Sequence, residues 1–288
     1  MTNIRYNLSK FLRKNLVTQD VLDGYFNQCK YELRDELDTL WIPNIKSPME
    51  TIEHLLATKN SFCRFGDGEF NLMLGKPQGR AQKYEKGLED RLKYIFKSTD
   101  ENIMIGAPYS FYHSMRVLRP LVQKFMIGWV SDNRKNIESF MNKDKMYFAT
   151  EVSQMYANYQ FYDFDEHFDK LREIWNDRDI TIICGDRSFA KIQYNIYNNA
   201  KTIEYIYGPT RDAFSSYKQM LGKALEIPKE RLVIIMLGPT GKLLAYALAT
   251  EVGKYQVLDF GHLAKDYNEY KKQIVMNDEN ISLFYNPD

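Results

Sequence analysis

From residue 61 onward, short apolar runs rich in β-branched and aromatic residues alternate with stretches whose apolar positions recur at helical spacing. The runs at 61–65, 102–106, 145–149, 179–184, 202–207, 231–237 and 255–260 read as strands. Helical patterns fall at 166–176, 188–199, 212–225, 240–252 and 263–273, and Pro48–Thr58 reads as the helix leading into the first strand. Such alternation predicts an α/β fold, with a mainly parallel sheet, right-handed crossovers and helices on both faces. The nearly unbroken apolar runs Ile180-Thr181-Ile182-Ile183 and Leu232 to Leu237 predict central strands buried on two sides.

Residues 1–45 break this rhythm. Ile4, Leu8, Phe11, Leu12 and Leu16 share one helical face, while Arg5, Lys10, Arg13 and Lys14 cover the rest. A second helix is expected through Val21–Leu40, before Pro43 and Pro48 mark a break. The expected domains are therefore a helical N-terminal extension over 1–45 and an α/β domain over 46–288. A basic amphipathic helix can lie on an anionic membrane surface, or dock its apolar face on the main domain or on a second copy in a homodimer. Docking is favoured, because the stripe is short and carries no Trp.

Composition narrows the function. The 288 residues carry a net charge of +1, which argues against nucleic acid as a partner. Cys29, Cys63 and Cys184 form no CxxC pair and read as reduced, packed thiols. No apolar run is long enough to span a bilayer and the first residues lack a signal-peptide core, so the expected location is the cytoplasm, with peripheral membrane contact as its variant. The 21 tyrosines and 17 phenylalanines suit a sugar or nucleotide cleft, although rings more often fill cores.

The strand exits carry the chemistry. They read Gly66-Asp67-Gly68-Glu69, Gly106-Ala107-Pro108-Tyr109, Thr150-Glu151, Gly185-Asp186-Arg187-Ser188, Gly208-Pro209-Thr210-Arg211, Gly238-Pro239-Thr240-Gly241 and Asp259-Phe260-Gly261-His262. In a parallel sheet all lie on one edge, where open α/β folds bind ligands. On an extended or turn backbone Asp67 and Glu69 point to one side and can share Mg²⁺ or Mn²⁺ with a substrate phosphate. The competing reading is an acidic turn before a helix Phe70–Leu74, with Asp67 as its N-cap. Gly66 and Gly68 permit the tight turn and a close ligand approach.

Gly238-Pro239-Thr240 opens a helix whose N–H groups favour phosphate, with Thr240 as the expected N-cap. Neither a P-loop nor a GxGxxG fingerprint occurs. Arg64, Arg187 and Arg211 could clamp a diphosphate or form surface ion pairs. His262 and Asp259, at the last exit, are candidates for metal ligand, phosphate donor or base. His54, His113 and His167 show no paired spacing and read as structural.

These residues also carry a family likeness. Arg64-Phe65-Gly66-Asp67-Gly68-Glu69-Phe70, followed by Gly75-Lys76 and Gln82-Lys83-Tyr84, resembles the opening of the bacterial GT-D-type glycosyltransferases. Leu237-Gly238-Pro239-Thr240 with Leu243-Leu244-Ala245-Tyr246, then Asp259-Phe260-Gly261-His262, is similar to that family's closing motif. Ile105-Gly106-Ala107-Pro108, Ile174-Trp175, Gly185 with Arg187, and Pro209 with Ala213-Phe214 fit in order between them, so the likeness covers about residues 47–285.

The resemblance implies a Rossmann-like, metal-dependent enzyme moving a hexose, glucose or galactose, from a UDP-sugar to a glycan or glycoprotein acceptor. It maps the family's DxE motif onto Asp67 and Glu69 as the metal site. It sets Arg64, Gly66, Gly68, Gln82, Gly185, Arg187, Gly238, Pro239 and Thr240 around the nucleotide-sugar, with His262 or Asp259 as the acceptor-side base. One departure is Ala264, where the family commonly carries a carboxylate two positions after the histidine; here Asp266 comes later. The rival readings are a non-catalytic nucleotide-sugar-binding subunit assisting another glycosyltransferase, and another Rossmann-like enzyme such as a methyltransferase or phosphohydrolase.

Overall fold

The structure is a computed structural model that describes residues 41–78, 81–252 and 255–285, together with Cys29. The chain divides into two compact units, Met1–Ile42 and Pro43–Asp288, and the second is described below. Apart from Cys29 and residues 41–45, the expected helical extension lies outside the described residues. Cys29 is exposed, unlike the packed thiol expected, whereas Cys63 and Cys184 are buried.

All seven expected runs form strands: β1 (Ser61–Arg64), β2 (Ile103–Ala107), β3 (Phe148–Ala149), β4 (Asp179–Gly185), β5 (Thr202–Gly208), β6 (Leu232–Met236) and β7 (Val257–Asp259). They make one sheet in the order β3-β2-β1-β7-β6-β4-β5, with every pair parallel. The chain steps outward from β1 to β3, crosses to β4 and β5 on the far side, then returns through β6 to β7 beside β1. The helix after β1 packs on one face (Phe70, Leu72) and the helix after β7 on the other (Leu263, Ala264). The chain thus leaves the β1–β7 seam in opposite directions, as at the switch point of an open parallel sheet.

The helices are α1 (Pro48–Thr58), α2 (Asp67–Met73), α3 (Lys86–Lys97), α4 (Pro120–Glu138), α5 (Met155–Asn158), α6 (Phe164–Glu173), α7 (Tyr217–Ala224), α8 (Gly238–Tyr246), α9 (Leu263–Lys271) and α10 (Asp278–Tyr285). α1 forms where expected because Ser47 and Glu50 close a capping box, Pro48 fits the first turn, and Lys59 turns left-handed (φ 54°) to end it. Alternation along β1 sends Phe62 into the core on one face with Trp175 and Phe260, and Cys63 and Phe65 into the other with Phe70 and Phe96.

The helix expected over 188–199 is a chain of turns instead. Asn268 Oδ1 accepts the N–H groups of Gln193 (2.9 Å) and Tyr194 (3.1 Å), and Asn195 caps Tyr197 (3.0 Å), so side chains replace the helical ladder there. α8 stops at Tyr246 and continues as a wider π turn over Ala247–Glu251. α3, α4, α5 and α10 have no counterpart among the expected helices. Among the described residues no helix is long and apolar enough to cross a membrane.

Candidate active site

Three exits meet at the β1–β7 seam. After β1, Gly66 is the N-cap of α2 and Asp67 and Glu69 are its first and third residues, so neither carboxylate lies on the extended turn expected and Asp67 is not the cap. Glu69 Oε2 accepts the Gly66 N–H at 2.9 Å, and acids in a first turn answer the positive end of the helix dipole. Glu69 is buried and Asp67 half-buried. Burial and the neighbouring Glu69 charge push the Asp67 carboxyl up to about 6, against the pull of the Gly68 and Asp67 N–H groups. A Cβ on Gly68 would stand where the end of the flexible Gln78 side chain now lies, so a larger residue there would have to displace that side chain.

Beneath this turn lies a buried charge network. Lys242, in the second turn of α8, is 2% exposed. Its Nζ is 3.1 Å from Glu69 Oε1, 3.1 Å from Asp259 Oδ2 and 3.3 Å from the Gly238 carbonyl. Burial opposes its charge, but attraction to Asp259 and Glu69 outweighs that and raises its pKa. Asp259 Oδ2 also accepts the Arg64 N–H at 3.3 Å. The Arg64 guanidinium donates to the Thr150 carbonyl (3.3 Å) and runs beneath Gly261, whose φ of +45° and missing Cβ make room for it. Arg64 Nε, Thr240 Oγ1 and Asp259 Oδ1 are buried without a hydrogen-bond partner, the kind of orphan that a ligand or water completes.

At the β6 exit, the N-cap of α8 is Leu237, and Thr240 is its third residue, fully buried, not the cap expected. Gly238 bends left-handed (φ 53°) and is exposed, and Pro239 fits the first turn because it has no N–H to lose. The first-turn N–H groups of this nine-residue helix have no intrahelical acceptor and open at the switch point. A Cβ on Gly241 would stand 3.9 Å from Asp259 Oδ1, so the helix start and the β7 acid are neighbours.

At the β7 exit, His262 presents an exposed ring whose Nδ1 lies 2.7 Å from Gln154 Nε2 and whose centroid is 6.2 Å from that of Tyr285. Crowding by protein and the charges of Arg64, Lys265 and Lys242 push its pKa down to about 3. Solvent at the ring weakens the crowding contribution, and the cations keep the imidazole neutral at physiological pH. His167, by contrast, is fully buried with Nε2 2.8 Å from the Val152 carbonyl, a structural histidine as expected.

The structure thus gathers Arg64, Gly66, Asp67, Gly68, Glu69, Gly238, Pro239, Thr240, Asp259 and His262 around one seam. Gly185 and Arg187 sit one strand further on, past β6; Arg187 is exposed, and a Cβ on Gly185 would come within 2.9 Å of Thr210 Oγ1. Gln82 is buried and ties loops together, accepting the Phe214 N–H at 3.4 Å and donating to the Lys83 carbonyl at 3.3 Å. Sequence reasoning missed Lys242, Gln154 and Tyr285. Lys242 follows Gly241 directly and was within reach of the motif; nothing in the sequence marked the other two.

The family model for the glycosyltransferase GT-D fold matches residues 62–282. The chain is 28% identical over 263 residues to glycosyltransferase GlyD of Streptococcus pneumoniae serotype 4 (strain ATCC BAA-334 / TIGR4), covering 90% of this chain and 30% of that protein. It is 28% identical over 230 residues to the probable glycosyl transferase Gly of Streptococcus gordonii, covering 77% of this chain and 32% of that one. The chain therefore spans about a third of the length of these curated relatives. Among solved structures, a new glycosyltransferase from Streptococcus sanguinis aligns with a TM-score of 0.76 at 26% identity, over 82% of this chain and 87% of that one. A domain described as having a distinct glycosyltransferase fold aligns with a TM-score of 0.70 at 27% identity, over 80% and 82%.

Proposed function

Because the chain belongs to the family of glycosyltransferases with the GT-D fold, we propose that it moves a hexose, glucose or galactose, from a UDP-sugar to a glycan or glycoprotein acceptor, with Mn²⁺ or Mg²⁺ beside the donor diphosphate. The observation that carries this reading is the convergence at the switch point of a half-buried acid, an uncapped helix start and a buried arginine. Hard cations of this kind keep several waters and rest on one or two carboxylates plus substrate phosphate. Asp67 fits that demand. Glu69, with its oxygens on the Gly66 N–H and on Lys242, does not fit it in this conformation.

The bound cation would neutralise charge on the departing UDP. The first-turn N–H groups of α8 would face the diphosphate, where a helix start favours anions. Arg64, fixed by Thr150 and roofed by Gly261, would add a charge that needs no reorganisation. Asp259 is fully buried under Lys242 and serves the site through charge, whereas His262 is the exposed group that an acceptor hydroxyl can reach. We place the reaction in the cytoplasm, with residues 1–45 as the proposed membrane-peripheral or dimer contact.

The test is UDP release from UDP-glucose and UDP-galactose with Mn²⁺ or with EDTA, followed by mass detection of the hexose on the acceptor. Turnover that ignores EDTA, or that survives intact in Asp67→Ala, would defeat the scheme.

A further inference from the structure

Lys242 is an unusual group to find beneath the proposed donor site, since it is closed off from the surface. Its ammonium has three N–H donors, and three acceptors surround it: Glu69 Oε1 at 3.1 Å, Asp259 Oδ2 at 3.1 Å and the Gly238 carbonyl at 3.3 Å. The residue is 2% exposed, so water supplies none of these bonds. The cation is spent on the protein itself. Each of its three partners belongs to a different functional segment: the α2 first turn, the β7 exit and the start of α8.

This arrangement bears on which acid meets the metal. Glu69 Oε2 is turned back on the Gly66 N–H at 2.9 Å, and Oε1 faces the ammonium. A divalent cation brought to Glu69 would stand beside a fixed positive charge in a site with little water to screen it. Asp67 has the Gly68 and Asp67 N–H groups beside it but, among the described residues, no cation, and it is half-buried at the mouth of the same turn. We propose that Lys242 is a positioning residue of the donor site: by clamping Glu69 and Asp259 it holds Glu69 as the brace of the α2 turn, and leaves Asp67 as the one carboxylate of the pair offered to the divalent cation. The inference rests on the metal-dependent reading above and departs from the expectation that both acids are ligands.

The experiment is Mn²⁺ binding to the full chain with UDP present, read by the electron-spin resonance of free Mn²⁺, in wild type, Asp67→Asn, Glu69→Gln and Lys242→Met. Asp67→Asn should weaken Mn²⁺ binding by about tenfold or more, while Glu69→Gln should stay within about threefold of wild type, because only the first loses a ligand. In Lys242→Met, Glu69 loses its cation and is free to join Asp67, so Mn²⁺ should bind about threefold tighter or more, ligand charge setting affinity. UDP release by that variant should nevertheless fall about tenfold or more, since its acids are no longer held in place. A purely structural lysine would not tighten metal binding when removed.

Equal loss of Mn²⁺ binding in Glu69→Gln and Asp67→Asn, or weaker binding in a folded Lys242→Met, overturns the assignment while leaving metal dependence intact. Should Lys242→Met fail to fold, the contrast between the other two variants decides. Absence of Mn²⁺ binding by the wild-type protein overturns the metal-dependent reading and this assignment together.

Discussion

Asp67→Asn should make the metal-free protein more stable at neutral pH while disabling its donor site. The folded carboxyl sits at about 6 against an ordinary 3.8, so the ionised acid is held at a cost in the native state. About two pH units correspond to roughly 3 kcal/mol if the whole shift counts. Asp67 is only half-buried, solvent screens part of its interaction with Glu69, and the amide gives up the carboxylate's attraction to the first-turn N–H groups. These discounts bring the expected gain to about 1–2 kcal/mol. For a domain of this size, that raises Tm by roughly 2–8 °C.

The sign with pH follows from proton binding. Between 3.8 and about 6 the folded wild-type protein holds a proton that the unfolded chain has released, so wild-type stability falls as pH rises through that window. The variant lacks this slope. Thermal unfolding in EDTA should therefore show the two proteins converging near the acid end and separating to a constant difference above about pH 6. Adding Mn²⁺ and UDP should restore stability to wild type through ligand linkage and do far less for the variant. A variant that is no more stable than wild type above that window, or one that gains equally from Mn²⁺ and UDP, would refute the reasoning.

Two further outcomes are expected. Gly261→Ala forces a Cβ onto a left-handed backbone (φ +45°) and into the Arg64 guanidinium; thermal unfolding should show a loss of about 1–3 kcal/mol, and UDP release should fall with it. Replacement by Ala of Gly222, which has open space at its Cβ position, is the control that should cost little. His262 should titrate below the free-imidazole value of about 6.5, since crowding and the charges of Arg64, Lys265 and Lys242 push its pKa down; its ring proton resonances, followed from about pH 8 to 4, should show the lowered midpoint, and one near 6.5 would show that neither is felt.

The strand pattern was legible because each strand of a two-sided parallel sheet must be apolar over its whole length, and runs such as Leu232 to Leu237 have no other use. The helices were less legible, for two different reasons. α4 spans Pro120–Glu138 yet buries only Val122, Val130, Asn133 and Ile137, so its apolar stripe is thin. Residues 188–199 carry a helix-like pattern, but Asn268 takes their N–H groups from 75 positions away, a contact that local periodicity does not contain. The site shows the same division. The exits after β1, β6 and β7 were readable as motifs, because glycines next to charges mark close backbone approach. What joins them, Lys242, carries no mark of that role in the sequence, since only the fold brings Glu69 and Asp259 to the same ammonium.

The charges at the seam also bear on why a cation belongs in the proposed chemistry. Arg64 and Lys242 are matched, charge for charge, by Asp259 and Glu69, all four buried. Breaking such a set by removing one member leaves an uncompensated charge, which is why it is stiff. It is also neutral overall, so beyond the local charge of Arg64 it brings no net positive charge with which to attract a diphosphate. Asp67 is the surplus group, and its charge is negative. A donor approaching the uncapped start of α8 therefore meets a helix dipole worth roughly half a charge in its favour and a whole carboxylate against it. A divalent ion between Asp67 and the diphosphate removes that conflict, and the same ion relieves the strain that holds Asp67 at about 6. On this reasoning the acid that weakens the empty protein at neutral pH is the one that makes donor binding and cation binding depend on each other.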